Sequence, residues 1–92
     1  MNVELVKLGS NFYMVEIGKV CVWFSYETPV AFNADKFPTI VRENVWGPTT
    51  GQHLNWIDGG DKEAKERRVS SEDFNAALNG LLEGLDYEKV GY

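Results

Sequence analysis

Along the first 43 residues, apolar and polar positions alternate in short runs broken at close spacing by turn residues. That pattern predicts an antiparallel meander of four to five strands over about residues 2–43. Residues 2–8 form the first run, and Gly9-Ser10-Asn11 turns the chain. In the second run, 12–17, Phe12 and Met14 share one face while Tyr13, Val15 and Ile17 share the other. Gly18-Lys19 suits a two-residue hairpin, because glycine tolerates positive φ. The third run, 19–26, is apolar on both faces, with Val20, Val22 and Phe24 against Cys21 and Trp23. It is therefore expected to be central and covered, with Trp23 in the core and Cys21 acting as a buried small hydrophobe. Pro29 donates no ladder hydrogen bond, so the fourth strand is expected just past it, over 30–33. A polar loop over 33–36 and a fifth strand over 38–43 complete the meander.

Beyond Trp46-Gly47-Pro48 the period changes. Leu54 and Ile57 lie three apart, which predicts a short helix over about 50–58, capped by Thr49 or Thr50 and stopped by Gly59-Gly60. Residues 61–68 alternate in charge and are expected to form a solvated loop or a frayed helical turn. Ser70 with Asp73 resembles a capping box, with Val69 placed to staple Phe74. Phe74, Ala77, Leu78, Leu81 and Leu82 then repeat at helical spacing, predicting an amphipathic helix over about 71–83 that packs on the sheet and ends at Gly84. Leu85, Tyr87, Val90 and Tyr92 are free to pack or to engage a partner. The reading is a single α+β domain, 1–92.

Composition narrows the class. A chain of 92 residues that is 43% hydrophobic has apolar area for one core, which argues against disorder. Its single cysteine rules out an internal disulfide and fits a reducing cytosol. No apolar run approaches the ~20 residues needed to cross a bilayer, so neither a membrane span nor a secretory leader is expected. The formal charge of −5 gathers in 70–92, where Glu72, Asp73, Glu83, Asp86 and Glu88 face Lys89. An acidic chain releases no counterions from DNA or RNA, so direct nucleic-acid binding is not expected, and Lys65 with Arg67-Arg68 is too short a basic cluster to reverse this.

Candidate chemistry concentrates around the Gly47-Pro48 turn, where Arg42, Trp46, Thr49, Thr50, His53 and Asn55 fall. His53 is the only histidine, a residue type suited to acid–base work, but a general base needs an orienting partner and a nucleophile that sequence does not place. It is equally suited to recognition or to a structural hydrogen bond. Pro48-Thr49-Thr50-Gly51 would offer N–H groups and hydroxyls at a helix start, with Arg42 and His53 adding charge for a small anion. The string of a P-loop is absent. One histidine and one cysteine do not make a zinc set, so neither a metal nor a cofactor is expected. Exposed tryptophan and arginine are common binding anchors, which draws attention to Trp46 and Trp56.

Tyr26-Glu27-Thr28-Pro29-Val30-Ala31-Phe32, then Val41-Arg42-Glu43-Asn44, then Thr49-Thr50-Gly51-Gln52-His53-Leu54-Asn55, resemble a family of small phage and prophage proteins. Its signature is Tyr-x-Thr-Pro-Val-Ala followed by Thr-Thr-x-x-His-x-Asn. The resemblance covers about residues 20–57 and continues more loosely through the final helix. It is to a domain of unknown function, so it implies a viral origin and little chemistry. The matching positions are Tyr26, Thr28, Pro29, Thr49, Thr50, His53 and Asn55, forming either a site or a structural signature. The leading expectation is a phage-encoded, non-catalytic binding protein in the host cytoplasm that inhibits or modulates a host protein, in the manner of an anti-defence factor. The alternative is a nucleotide or other small-anion sponge built on Arg42, Thr49, Thr50 and His53, for which homo-oligomerisation would help to form a pocket. A small enzyme using His53 ranks third.

Overall fold

The structure is a computed structural model that describes residues 3–34 and 37–90, with side chains as far as residue 83. Its core is a five-stranded antiparallel sheet in the order β1-β2-β3-β4-β5, an uncrossed meander of β1 (Val3–Gly9), β2 (Phe12–Ile17), β3 (Val20–Ser25), β4 (Thr28–Ala34) and β5 (Ile40–Val41). Three helices follow: α1 (Pro48–Asp58), α2 (Lys62–Arg67) and α3 (Ser71–Val90). The α+β class and the meander agree with the sequence pattern, including the division of β2 and β3 into faces. Asn2, Asp35, Lys36 and Tyr92 and the side chains of Leu85, Tyr87 and Val90, which the sequence reading used, lie outside the described residues.

The two faces of the sheet carry different helices. Phe32 pairs with Ile40, and both pack with Val20, Val22, Phe74 and Leu78. The adjacent pair Ala31 and Val41 packs instead with Leu54 and Val30. Neighbouring residues of a strand point to opposite sides, so α3 covers one face and α1 the other. Trp23 is half-buried against the Leu54 cluster and Cys21 is likewise half-buried, so neither is enclosed to the degree the apolar run suggests. At the β1 edge, Val3 and Leu5 remain exposed on the α3 side.

Several boundaries differ from expectation. Strand β4 starts at Thr28 and includes Pro29, because the register slips between Trp23 and Phe24. Such a bulge relieves proline of a ladder bond and turns both Val30 and Ala31 toward the Leu54 cluster. Strand β5 is only two residues long, since Arg42 leaves it to form a parallel bridge with Val69. Neither threonine caps α1. The cap position is Gly47, with no side-chain hydrogen bond, and Pro48 supplies the preset φ of a first helical residue. The charged stretch 61–68 holds a true helix, α2, capped by Asp61 Oδ1 accepting from the Ala64 N–H at 2.7 Å and anchored by buried Ala64. Ser70 does cap α3, its Oγ accepting from the Asp73 N–H at 3.1 Å. Yet α3 runs through Gly84 to Val90. Glycine ends a helix only where the chain turns left-handed, as it does at Gly59, φ 90°, after α1.

Candidate functional site

The end of β3 meets the first turns of α1 at a small polar centre. Ser25 pairs with Phe12 across the β2–β3 ladder, and both face α1. On α1, Thr50 and His53 are three residues apart and so project to the same side. Ser25 Oγ lies 2.9 Å from Thr50 Oγ1 and 2.7 Å from His53 Nδ1. Phe12 stacks on the imidazole at 4.5 Å between centroids with 6° between planes. Trp56 meets Phe12 edge-on at 5.4 Å, and Tyr26 approaches the imidazole at 6.3 Å. Ser25 and Thr50 are buried, while His53 is half-exposed.

Hydrogen-bond counting makes this a reversible chain. With the imidazole proton on Nε2, Ser25 donates to Nδ1, Thr50 donates to Ser25, and the Thr50 oxygen is left as an acceptor. With the proton on Nδ1, every donor reverses and Thr50 is left with an O–H to give. Among the described residues, none hydrogen-bonds to Nε2.

Tyr26 follows Ser25 with φ 58°, a left-handed conformation that a bulky residue adopts only under constraint. Its N–H donates to the Asn11 carbonyl at 2.7 Å, fixing the β3–β4 turn against the β1–β2 turn. Beside it opens a cavity of about 180 Å³ lined by Ser25, Tyr26, Thr28, Val30, Trp46 and Thr50. Tyr26 is 50% exposed and Trp46 44%, so both also reach the surface.

The candidate residues therefore divide. Thr50 and His53 converge with Ser25, and Trp46 reaches the same cavity. Thr49 is exposed, and its side chain bonds no described residue. Arg42 lies between two rings: its guanidinium is 4.8 Å from the Trp46 ring centre and 5.0 Å from that of Phe74 on α3, and Nη1 donates to the Pro29 carbonyl at 3.1 Å. Only 6% of Arg42 is exposed, and its buried Nε has no partner among the described residues. Burial pushes the guanidinium pKa down, with the nearby Glu43 charge opposing. Of the four residues of the expected anion corner, only Thr50 lines this cavity.

Asn55 belongs to a clasp behind α1. Its Oδ1 accepts from Arg68 Nη2 at 3.1 Å, and Arg68 also grips Asp58 through Nε at 2.8 Å and Nη2 at 2.9 Å. Burial alone would raise the Asp58 pKa, but hydrogen bonds from Arg68 and the Gly60 N–H, with the Arg68 charge, hold it below its ordinary value. Gly60, φ 71°, sits so close that a Cβ would meet Asn55 Cγ at 2.5 Å.

Ser25 and Arg68 were not among the sequence candidates. Ser25 carried a signal, being the one polar position on the β3 face that also holds Trp23 and Cys21, two residues past Trp23. Arg68 carried none, because its partners on α1 lie across a turn whose geometry the alternating charges conceal.

A five-stranded meander with helices on both faces and a Ser-Thr-His chain beneath an aromatic rim defines a small α+β protein with one polar corner. The chain belongs to the family of unknown function DUF8033, whose profile matches residues 3–76. No curated protein and no solved structure matches it. Among the described residues no group of three or more His, Cys, Asp or Glu is placed to hold a metal ion, and no helix is long and apolar enough to cross a membrane.

Proposed function

We propose that this protein is a non-catalytic binding module that recognises a partner protein through the aromatic rim around His53. The observation that carries this reading is the run Trp56, Phe12, His53, Tyr26, joined to Trp46 through the shared cavity. Trp56 is 63% exposed. Exposed aromatic groups around a desolvated polar centre have the composition of an interface hot spot. Phe12 and the Ser25–Thr50–His53 chain fix the rim beforehand, which lowers the ordering cost of association. The resemblance to phage and prophage proteins supports a phage-encoded protein acting in the host cytoplasm on a host target such as a defence protein.

Affinity capture from a host lysate, run in parallel with wild type, Trp56→Ala and Trp46→Ala, tests the reading. A stoichiometric partner retained by wild type and lost by both variants is expected. Recovery of no such partner, or one held equally by all three chains, overturns it. The third reading, an enzyme, gains a Ser25–His53 hydrogen bond at 2.7 Å. Its nucleophile would be a buried hydroxyl, and no described carboxylate orients the imidazole.

A further inference from the structure

We propose that the cavity beside Ser25 and Thr50 receives a single neutral ring bearing a hydroxyl, the phenol of a tyrosine presented by the partner. This rests on the binding-module reading and supplies the group recognised. Three observations point to it. The first is size: the cavity holds about 180 Å³, and an apolar cavity of about 150 Å³ is known to accept benzene. One six-membered ring fills that volume, whereas a fused base with its sugar would extend out of it into solvent.

The second is charge. The lining residues are Ser25, Tyr26, Thr28, Val30, Trp46 and Thr50, none of them ionic. Arg42 does not line the cavity, and its guanidinium is engaged by the Trp46 ring and, through Nη1, by the Pro29 carbonyl. A phosphate or carboxylate entering here would lose its water without gaining a cation, so nucleotides and phosphorylated rings are rejected.

The third is the polar end. Thr50, which lines the cavity, ends the Thr50–Ser25–His53 chain, and its hydroxyl has capacity to accept in one imidazole tautomer and to donate in the other. The Thr28 hydroxyl makes no side-chain hydrogen bond among the described residues. A phenol O–H both donates and accepts, so it matches the chain in either state. A plain hydrocarbon ring matches the volume alone. The aromatic lining from Tyr26 and Trp46 favours a ring over an aliphatic chain of equal size.

The test titrates the isotope-labelled protein with p-cresol, toluene, N-acetyl-tyrosinamide and adenosine monophosphate, followed by NMR. Saturable shifts, with nuclear Overhauser contacts from the p-cresol ring to the methyls of Val30 and Thr50, are expected. One hydrogen bond's worth of preference makes p-cresol about tenfold tighter than toluene. Thr50→Val should bring p-cresol to the level of toluene. If that variant does not fold, the ratio measured on wild type decides. N-acetyl-tyrosinamide should make the same contacts as p-cresol.

Absence of saturable shifts, contacts elsewhere on the protein, equal affinity for toluene and p-cresol, or tighter binding of adenosine monophosphate each overturns the proposal. Binding of p-cresol without N-acetyl-tyrosinamide overturns the tyrosine source and leaves a free phenol as ligand. Trp56 does not line the cavity. Partner capture lost in Trp56→Ala without p-cresol binding to wild type therefore removes ring insertion and leaves the aromatic-rim reading standing. The converse result removes the rim reading alone.

Discussion

Ser25 at the end of β3 and His53 on α1, 28 residues apart in sequence, are joined by a 2.7 Å hydrogen bond between Oγ and Nδ1. Because Thr50 shares the same oxygen at 2.9 Å, one serine ties the helix to the sheet through two of its residues. Ser25→Ala leaves a buried hydroxyl and a ring nitrogen without their partner, and it is expected to lose about 1–3 kcal/mol of stability. Ser25→Ala with Thr50→Val should lose less than the sum of the single changes, since the second removes a group already stranded by the first. Denaturant midpoints of the four chains measure this; strict additivity would mean that Ser25 and Thr50 do not act as one unit.

Gly59 and Gly60 both have positive φ, yet they should respond differently to alanine. At Gly59 a Cβ meets open space, so only the backbone penalty of about 1 kcal/mol applies. At Gly60 the same penalty adds to a clash, with Asn55 Cγ at 2.5 Å and Cβ at 2.8 Å. Gly60→Ala is expected to cost at least about 2 kcal/mol. Asn55→Ala removes the Cγ clash and should partly rescue it. Thermal melts of the single and double variants decide; equal losses at both glycines would contradict the close approach.

The sheet was legible because its signals are local: turn residues at short intervals, a two-faced apolar central strand, and glycine at the Gly18 hairpin. Elements whose ends depend on distant partners were not. Thr50 looks like a cap from its neighbours, but its hydroxyl is taken by Ser25, and Pro48 leaves the helix start little need of a side-chain cap. Asp61 capping α2 was hidden within alternating charges, although buried Ala64 at the third helical position marks its inner face. The site was half legible. His53 and Thr50 stood out as polar residues at helical spacing, whereas Ser25 closed an apolar strand, and Asn55 serves the clasp on Arg68. Proximity in sequence also misled for Arg42: adjacent strand residues face opposite ways, so following Val41 places its side chain with Phe74.

Arg42 is buried with no ion pair among the described residues, only the Glu43 charge nearby, and its Nε has no hydrogen-bond partner among them. Its stabilisation comes from the Trp46 and Phe74 rings and one carbonyl, against a desolvation penalty that hydrophobic replacements avoid. Arg42→Met, which preserves much of the stem volume, should change stability by less than about 1 kcal/mol or raise it. Arg42→Ala opens a cavity beneath Phe74 and should cost about 2–4 kcal/mol. A loss in Arg42→Met as large as that in Arg42→Ala, read from chemical denaturation, would show that the guanidinium itself holds this region together.

The Asp58–Arg68 clasp sets an acid limit on stability. In the folded chain the Asp58 carboxyl lies below its ordinary 3.8. The unfolded chain therefore takes up its proton first as pH falls. The contribution is complete above the unfolded value and is lost as pH drops through the folded one. Asp58→Asn keeps an acceptor for Arg68 but removes the charge, and at neutral pH it should cost about 2 kcal/mol, between an exposed and a fully buried pair. That difference from wild type should stay constant from pH 7 to about pH 5 and shrink below pH 4 as wild type protonates. Urea unfolding of both chains across this range gives the comparison; a gap that held its size at pH 3 would show that the loss arises from packing at the α1–α2 junction and not from the charge.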